Sequence, residues 1–260
     1  MRSAGAPKTD GLRAAQHFHL HPPCDRDIVR SVPAKHWPAL PDRFEFEREL
    51  LRQGIVNIAG VDEAGRGPLA GPVVAAAVRL PVDWVEDGLP PGLAGLNDSK
   101  QLSAAQRERY FEFLTGDAGV HFALAQTDVP EIDASNILQA THRAMNGALA
   151  GLHPPPEHAL VDGRPVNSLA VAQTGLIQGD ARSYSIAAAS VLAKVTRDRL
   201  MTEYDRQYPA YGFAVHKGYG TPAHLAALAR HGPCPIHRRS FAPLKLQQLS
   251  LFSDGLVGTH

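Results

Sequence analysis

Apolar runs bounded by glycine, proline and polar residues predict several short strands along the chain. Two buried strands are predicted over residues 55–61 and 73–80, which are rich in Val, Ile and Ala. Shorter apolar runs predict strands over 120–126 and 159–161, and the apolar pair Leu176–Ile177 leads into a Gly-Asp step. Acidic residues follow directly after several of these runs.

Helices are predicted from start and stop residues and from four-residue spacing. A short helix over 44–52 stops at Gly54, and Ser103 caps another of about three turns. Residues 130–149 are predicted as one helix. One face of this helix carries side chains spaced four apart, namely Ile137, Thr141, Met145 and Leu149.

The C-terminal part of the chain is predicted to be mainly helical. A long Ala-rich helix covers 182–206, a loop rich in Gly, Pro and Tyr covers 208–222, and another helix covers 223–230. Strands therefore come first and later alternate with helices. This order predicts an α/β layered domain with its helices concentrated toward the C-terminus.

Three segments are expected along the 260 residues. Residues 1–42 contain six prolines and no hydrophobic period, so we predict a poorly ordered leader. Residues 43–244 are predicted to form the folded domain, and residues 245–260 a flexible tail.

Composition places the protein among globular proteins without a membrane span. The hydrophobic fraction is 44%, and no run approaches the ~20 apolar residues that cross a bilayer. The N-terminus lacks the apolar core of a secretory signal. The only cysteines, Cys24 and Cys234, show no zinc-type spacing, which favours a reducing compartment. We therefore predict a cytoplasmic protein, and a monomer by default.

Positive charge is concentrated in one part of a chain whose formal net charge is zero. Residues 182–239 contain nine Lys or Arg and three acidic residues. A basic face beside acidic residues suits a nuclease, because phosphates are attracted on one side while cations are held on the other. A solvated charged face is the alternative for this segment.

Carboxylates follow three of the predicted strands: Asp62–Glu63, Asp162 and Asp180. Strand ends in open α/β sheets gather at one site, so we expect these acids to converge. Oxygen ligands without Cys or His suit Mg²⁺ or Mn²⁺, and two such ions can cleave a phosphodiester. Adjacent strand residues point to opposite faces, so Asp62 and Glu63 share this site only if the strand ends there. For any single acid, solvation or helix capping is the alternative.

Several motifs, in order, resemble those of the bacterial ribonuclease HII family over roughly residues 45–243. They are Ala59–Val74 (AGVDEAGRGPLAGPVV), Asn97–Ser103 (NDSKQLS), Val161–Gly163, Gly179–Ala181, Ala188–Asp198 (AASVLAKVTRD), Tyr211–Phe213, His216–Thr221 (HKGYGT) and His237–Phe241 (HRRSF). The resemblance implies a ribonuclease H-like fold: a mixed central sheet flanked by helices, with a small helical C-terminal region.

The resemblance also implies roles for individual residues. The four metal-binding catalytic carboxylates would be Asp62, Glu63, Asp162 and Asp180. A loop of Gly65, Arg66 and Gly67 would grip the ribonucleotide 2′-hydroxyl. Tyr219 would stack at the junction sugar, and Lys100 would bind a phosphate. Ser190 and Lys194 would either contact the substrate or only orient the acids. The basic run His237–Arg239 would touch DNA or merely be solvated.

The activity implied by the resemblance is hydrolysis of RNA in RNA–DNA hybrids. The family also cuts on the 5′ side of single ribonucleotides in duplex DNA, leaving 3′-hydroxyl and 5′-phosphate ends, with Mn²⁺ or Mg²⁺. Primer removal and ribonucleotide excision repair are the expected roles. The alternatives are a non-catalytic nucleic-acid-binding protein of this fold and a DNA nuclease that does not require a ribose.

The tail carries a short motif outside the family resemblance. Gln248–Phe252 (QLSLF) resembles the peptide by which many bacterial repair proteins bind the sliding clamp. A Gln would make polar contacts while three apolar side chains fill pockets, and these four residues are Gln248, Leu249, Leu251 and Phe252. The alternative is a last apolar turn that packs on the protein's own core.

Overall fold

The computed structural model describes residues 42–245, which fold around one five-stranded mixed sheet. The strands are β1 Ile58–Ala64, β2 Val73–Arg79, β3 His121–Thr127, β4 His158–Asp162 and β5 Ala172–Leu176. Their spatial order is β3-β2-β1-β4-β5. The first three strands pair antiparallel, whereas β4 runs parallel to both β1 and β5.

Helices connect the strands and follow them. In chain order they are α1 Glu45–Arg52, α2 Val82–Asp87, α3 Ala104–Gly116, α4 Val129–Ala134, α5 Ile137–Ala150, α6 Gly179–Arg182, α7 Tyr184–Gln207, α8 Phe213–His216 and α9 Pro222–His231. A 3₁₀ turn lies at Pro91–Leu93. No helix within 42–245 has the length and apolar character needed to cross a membrane.

Two helical layers cover the sheet. One face packs on α3 and the Ala-rich start of α7, and the other packs on α5. Helix α7 lies close to β1 because Gly60 has no side chain. A Cβ at Gly60 would stand only 2.1 Å from the carbonyl carbon of Ser185. This close approach brings the start of α7 against the strand that carries Asp62.

The mixed sheet with flanking helices confirms the predicted α/β class, with differences in several elements. The single helix predicted over 130–149 is two helices, because Asn136 interrupts it and caps the second by accepting a hydrogen bond from the Gln139 amide. The loop predicted over 208–222 contains α8, and α2 was not predicted. The leader up to residue 41 and the tail from residue 246, with its four predicted clamp-binding residues, lie outside the described residues.

Candidate active site

The four predicted acids lie at one end of the central strands. Asp62 is on β1 and Asp162 ends β4, whose parallel pairing places Val61 opposite Val161. Asp180 follows β5 in the short helix α6, and the Gly179 amide donates a 2.7 Å hydrogen bond to Oδ1 of Asp162. Chain topology therefore brings residues from three separate segments to neighbouring positions.

Our prediction that the first strand ends before Asp62 was wrong. Strand β1 continues to Ala64, and it pairs Asp62 with Ala76 and Glu63 with Ala75. Since neighbouring residues alternate between faces, Asp62 points toward α7 and Glu63 leaves the strand on the other side. Glu63 nevertheless lines the cleft, because it stands near the end of β1, beyond the last residue of this strand that pairs with β4.

Mutual repulsion and burial characterise this acid cluster (Asp62, Glu63, Asp162 and Asp180). Burial raises the pKa of Asp62 well above its usual value, and the charges of Glu63 and Asp162 raise it further. Burial also raises the pKa of Glu63, although Arg66 opposes that change with a 3.1 Å ion pair. Burial and the charge of Asp162 raise the pKa of Asp180 to about 6. The cluster thus holds negative charge that the chain only partly neutralises.

Residues 97–100 form the second wall of the cluster. The Asp98 carboxyl lies close enough to that of Asp180 to raise its pKa, a proximity that the sequence did not reveal. Although burial lowers the pKa of Lys100, the charges of Asp98, Asp62 and other acids outweigh it and raise that pKa. The Ser99 hydroxyl lies 2.9 Å from the Ser190 hydroxyl, and Ser190 is close enough to Asp62 to oppose the rise of its pKa. Ser190 therefore lies beside an acid, as its predicted role of orienting the acids requires.

A divalent cation fits the chemistry of this donor set. Within residues 42–245, no three His, Cys, Asp or Glu side chains stand ready-made as the ligands of one ion. The acids are still near enough to raise one another's pKa, and oxygen-only ligands suit Mg²⁺ or Mn²⁺. Joint coordination requires some carboxylates to rotate toward the ion. Binding a cation would remove the repulsion that opposes ionisation of the cluster.

A cleft of about 380 Å³ is lined by Glu63 of the acid cluster and by the predicted substrate-binding residues. Its lining includes the loop Gly65–Gly67 (the selectivity loop), Lys100 and Tyr219. Tyr219 is 44% exposed, and a Cβ at Gly67 would stand 3.8 Å from its ring. Gly65 has φ +98° and lies against the Arg197 side chain, so a Cβ would not fit there. The selectivity loop and Tyr219 therefore face each other across a narrow opening.

Two buried arginines (the arginine pair, Arg197 and Arg238) hold the backbone around this opening. Arg197 is 1% exposed and donates to the carbonyls of Ala70, Pro72 and Lys217. Burial lowers its pKa to about 10. The guanidinium therefore stays charged at neutral pH and tethers the segment after the selectivity loop to the segment before Tyr219.

Arg238 is fully buried and donates directly to the selectivity loop. Its guanidinium reaches the carbonyls of Gly65 and Arg66, and its Nε donates to the carbonyl of Gly71. Burial lowers its pKa to about 9. Neither alternative given for Arg238, DNA contact or solvation, is correct, because the side chain is buried and its donors are used within the protein.

Two buried histidines, His224 and His237, link Tyr219 to the C-terminal region by hydrogen bonds. The Tyr219 carbonyl lies 2.9 Å from Nδ1 of His224, and Nε2 of His224 lies 3.0 Å from Nε2 of His237. The Cys234 amide donates to Nδ1 of His237. Burial lowers the pKa of His224 and brings that of His237 to about 4, so both rings are neutral at pH 7. His237, also interpreted as a DNA contact, instead supports the backbone of Tyr219.

Sequence reasoning missed the residues that act on backbone. Arg197 and Arg238 both lie within the motifs shared with the family, but the sequence does not show what their side chains bind. Their acceptors are carbonyls, which every residue carries, so no residue type marks the contact. Asp98 offered a usable signal, because it stands beside Lys100 in the same short motif.

Comparisons with known proteins relate this chain to one family. A model of the family described as Ribonuclease HII matches residues 59–244. Ribonuclease HII of Ruminiclostridium cellulolyticum is 52% identical over 226 residues, which cover 87% of this chain and 82% of that protein. The matched family range contains every predicted site residue that the structure describes.

Two solved structures share the fold. The ribonuclease H2 from Pyrococcus horikoshii OT3 has a TM-score of 0.62 at 27% identity, covering 75% of this chain and 98% of that chain. The RNase HII of Archaeoglobus fulgidus, solved as a PCNA:RNase HII complex, has a TM-score of 0.56 at 25% identity. That similarity covers 70% of this chain and 93% of the other.

Proposed function

We propose, from the premise that this chain belongs to the ribonuclease HII family and is an endoribonuclease, that it cuts beside ribonucleotides in duplex DNA. RNA–DNA hybrids are its general substrate, and the cut falls on the 5′ side of the ribonucleotide. The observation that supports this proposal most directly is the shared cleft. Glu63 of the acid cluster, the glycine loop and Tyr219 line the same opening, and Asp62 and Asp162 lie close enough to Glu63 for their charges to act on one another.

The acid cluster would hold the cations that this reaction needs. Asp62, Glu63, Asp162 and Asp180 are the proposed ligands, with Ser190 and Asp98 orienting two of them. When bound, two Mg²⁺ or Mn²⁺ ions activate water and stabilise the leaving oxygen of a phosphodiester. The products would carry 3′-hydroxyl and 5′-phosphate ends. Lys100, exposed at the cleft edge, is placed to neutralise a substrate phosphate.

The selectivity loop and Tyr219 would choose the bond. Glycines at 65 and 67 let backbone groups approach a ribose closely, and the 2′-hydroxyl distinguishes RNA from DNA at one position. The Tyr219 ring faces the loop and would stack on the sugar of the following nucleotide. In this structure Arg66 holds Glu63, so gripping the ribonucleotide with its side chain requires that ion pair to open.

Cleavage of a labelled DNA duplex with one embedded ribonucleotide tests the proposal. The assay includes Mg²⁺ or Mn²⁺, an all-DNA duplex and the Asp62→Asn variant. We expect a single incision 5′ of the ribose, absent from the all-DNA duplex and lost in the variant.

Either of two other results would contradict the proposal. Duplex binding without incision under both metals would indicate a non-catalytic nucleic-acid-binding protein. Equal cutting of the all-DNA duplex would indicate a nuclease without a ribose requirement.

We also propose that the tail binds a sliding clamp and that the protein acts in cytoplasmic DNA repair and primer removal. The solved Archaeoglobus fulgidus complex joins an RNase HII to PCNA, which supports a clamp partner. Gln248, Leu249, Leu251 and Phe252 would make the contacts. Deleting residues 247–260 should abolish binding to the bacterial clamp and leave cleavage intact. Unchanged clamp binding would refute the tail's role.

A further inference from the structure

Arg43 and Glu47 lie before the range matched by the family model, which begins at residue 59. Both side chains are nevertheless buried: Arg43 is 8% exposed, immediately before α1, and Glu47 is 1% exposed, in its first turn. Burying two charged groups beside an N-terminal helix is costly unless they make specific hydrogen bonds. The hydrogen-bond partners of Arg43 and Glu47 therefore indicate which part of the protein these two residues hold in place.

Arg43 reaches the backbone of a proposed metal ligand. One Nη donates to the carbonyl of Asp180, and the other donates a 2.7 Å hydrogen bond to the carbonyl of Leu96. The guanidinium carbon lies 4.7 Å from the centre of the Tyr184 ring, and the Arg43 carbonyl accepts a hydrogen bond from the Tyr184 amide. Arg43 thus joins Asp180 to the segment before Asp98.

Glu47 holds the other side of the same turn. Its Oε1 accepts a 2.6 Å hydrogen bond from the Ser183 hydroxyl and a 3.2 Å hydrogen bond from the Ser185 amide. Ser183 itself caps α7 by accepting from the Ile186 amide, and its own amide donates to the carbonyl of Gly179. The carboxylate therefore fixes the junction between α6 and α7.

The turn that carries Asp180 needs this support. Gln178 before it adopts a left-handed conformation at φ 57°, which is unfavourable for a residue with a side chain. Helix α6 has only four residues, too few to define an orientation by itself. Arg43 holds the Asp180 carbonyl and Glu47 holds Ser183 and Ser185 just after it, and together these contacts restrict the rotation of this turn.

We infer that Arg43 and Glu47 are positioning residues that aim the Asp180 carboxylate at the acid cluster. The inference rests on the proposed function, in which Asp180 is a metal ligand. It extends the active-site support into a segment outside the matched family range. Groups that orient a metal ligand affect metal affinity without touching the ion.

The test compares variants of the full chain that separate positioning from general stability. Arg43→Met and Glu47→Leu remove the contacts, Arg43→Lys keeps a charge that reaches fewer carbonyls, and Glu47→Gln keeps an acceptor. Arg48→Met is the matched control, because Arg48 on α1 donates to the Val85 carbonyl, away from Asp180. Binding of Mn²⁺ alone is followed by electron paramagnetic resonance, without nucleic acid. Circular dichroism verifies folding.

We expect Arg43→Met and Glu47→Leu to weaken Mn²⁺ binding and lower kcat by about tenfold each, with KM for the duplex unchanged within about twofold. Glu47→Gln should recover most of the loss, and Arg48→Met should bind Mn²⁺ like the wild type. Combining Arg43→Met with Asp180→Asn should weaken binding no further than Asp180→Asn alone, because both act through one ligand.

Different outcomes distinguish failure of the positioning role from failure of the proposed function. If Asp180→Asn weakens Mn²⁺ binding but a folded Arg43→Met variant binds normally, the positioning role is refuted while the proposed function stands. If Asp180→Asn leaves binding unchanged, the proposed ligand set is wrong. Should Arg43→Met fail to fold, normal Mn²⁺ binding by Arg43→Lys and Glu47→Leu would equally refute the positioning role.

Discussion

Glu63 of the acid cluster and Arg197 of the arginine pair line one cleft, and the protein satisfies the charges of the two groups to different extents. The carboxylates repel one another, and burial raises the pKa of Asp62, Glu63 and Asp180. Arg197 and Arg238 are more deeply buried, yet their donors reach six backbone carbonyls. The arginine charges are therefore accommodated by the protein itself, whereas the acid charges are not.

This difference distinguishes a binding site from a structural support. A buried charge with hydrogen-bonded partners stabilises one conformation, and removing it leaves those partners unsatisfied. A cluster of like charges is destabilising until a counterion arrives, so removing one charge relieves the fold while damaging function. Substitutions in the two regions should consequently change stability in opposite directions.

The largest effect on stability should come from Arg238→Met. Loss of the guanidinium leaves the buried carbonyls of Gly65, Arg66 and Gly71 without donors, each at a cost of ~1–3 kcal/mol. After relief of the arginine's own desolvation, we expect about 3 to 5 kcal/mol lower free energy of unfolding in urea. The neighbouring exposed Arg239→Met is the control, expected within about 0.5 kcal/mol of the wild type. Equal effects of both substitutions would contradict a specific role for Arg238.

Asp62→Asn should lower activity and raise stability together. We expect the cleavage rate to fall about 100-fold or more. Loss of a residue that only supports a metal ligand costs ~10–100-fold, and Asp62 is a proposed ligand itself. Without divalent cations, the variant should unfold at a higher temperature than the wild type, because a repelling charge is gone. Initial rates and thermal unfolding in EDTA measure the two effects. A variant less stable than the wild type would show that repulsion between the carboxylates does not destabilise the fold.

The next effect on the free energy of unfolding should come from the titration of Asp180. Its pKa is about 6 in the fold and roughly 4 in an unfolded chain, so the carboxyl destabilises the metal-free fold fully above pH 6. As pH falls from 6 to about 4, the folded carboxyl takes up its proton first and the penalty disappears.

Comparison with Asp180→Asn isolates this contribution, since the buried histidines are common to both chains. In EDTA, the variant should be more stable than the wild type by about 2 kcal/mol at pH 7.5 and nearly equal to it at pH 4. Urea unfolding at both pH values checks this. A constant difference between the two chains would exclude Asp180 titration.

The smallest effect should come from Tyr219→Ala, which removes the ring facing the selectivity loop. We expect about tenfold slower cleavage at a single ribonucleotide, consistent with the ~1–3 kcal/mol of aromatic stacking. Tyr219→Phe should stay within about threefold of the wild type, because it keeps the ring. The ratio of rates on a single ribonucleotide and on a long hybrid measures the change in selectivity. An unchanged ratio for Tyr219→Ala would remove Tyr219 from substrate selection.

Sequence reasoning predicted the acid cluster better than its support. Side chains such as Asp62 and Asp162 are recognisable because their residue type matches their chemistry and each follows an apolar run. Arg238 and Arg43 were not recognisable, because they bind carbonyls contributed by distant turns. The continuation of β1 through Glu63 was also missed, since pairing with β2 outweighed the nearby glycines. Contacts to backbone depend on the tertiary fold and have no local pattern.

The hydrogen bond between Arg238 and the Gly65 carbonyl joins positions 173 residues apart in the chain. A ribosome adding ~5–20 residues per second therefore needs roughly 9 to 35 seconds between synthesis of the loop and synthesis of Arg238. During this interval the acids at 62 and 63 already exist, but the selectivity loop lacks its support. On the proposed function, a nascent chain beside messenger RNA acquires a fully supported cutting site only after residue 238 has been made.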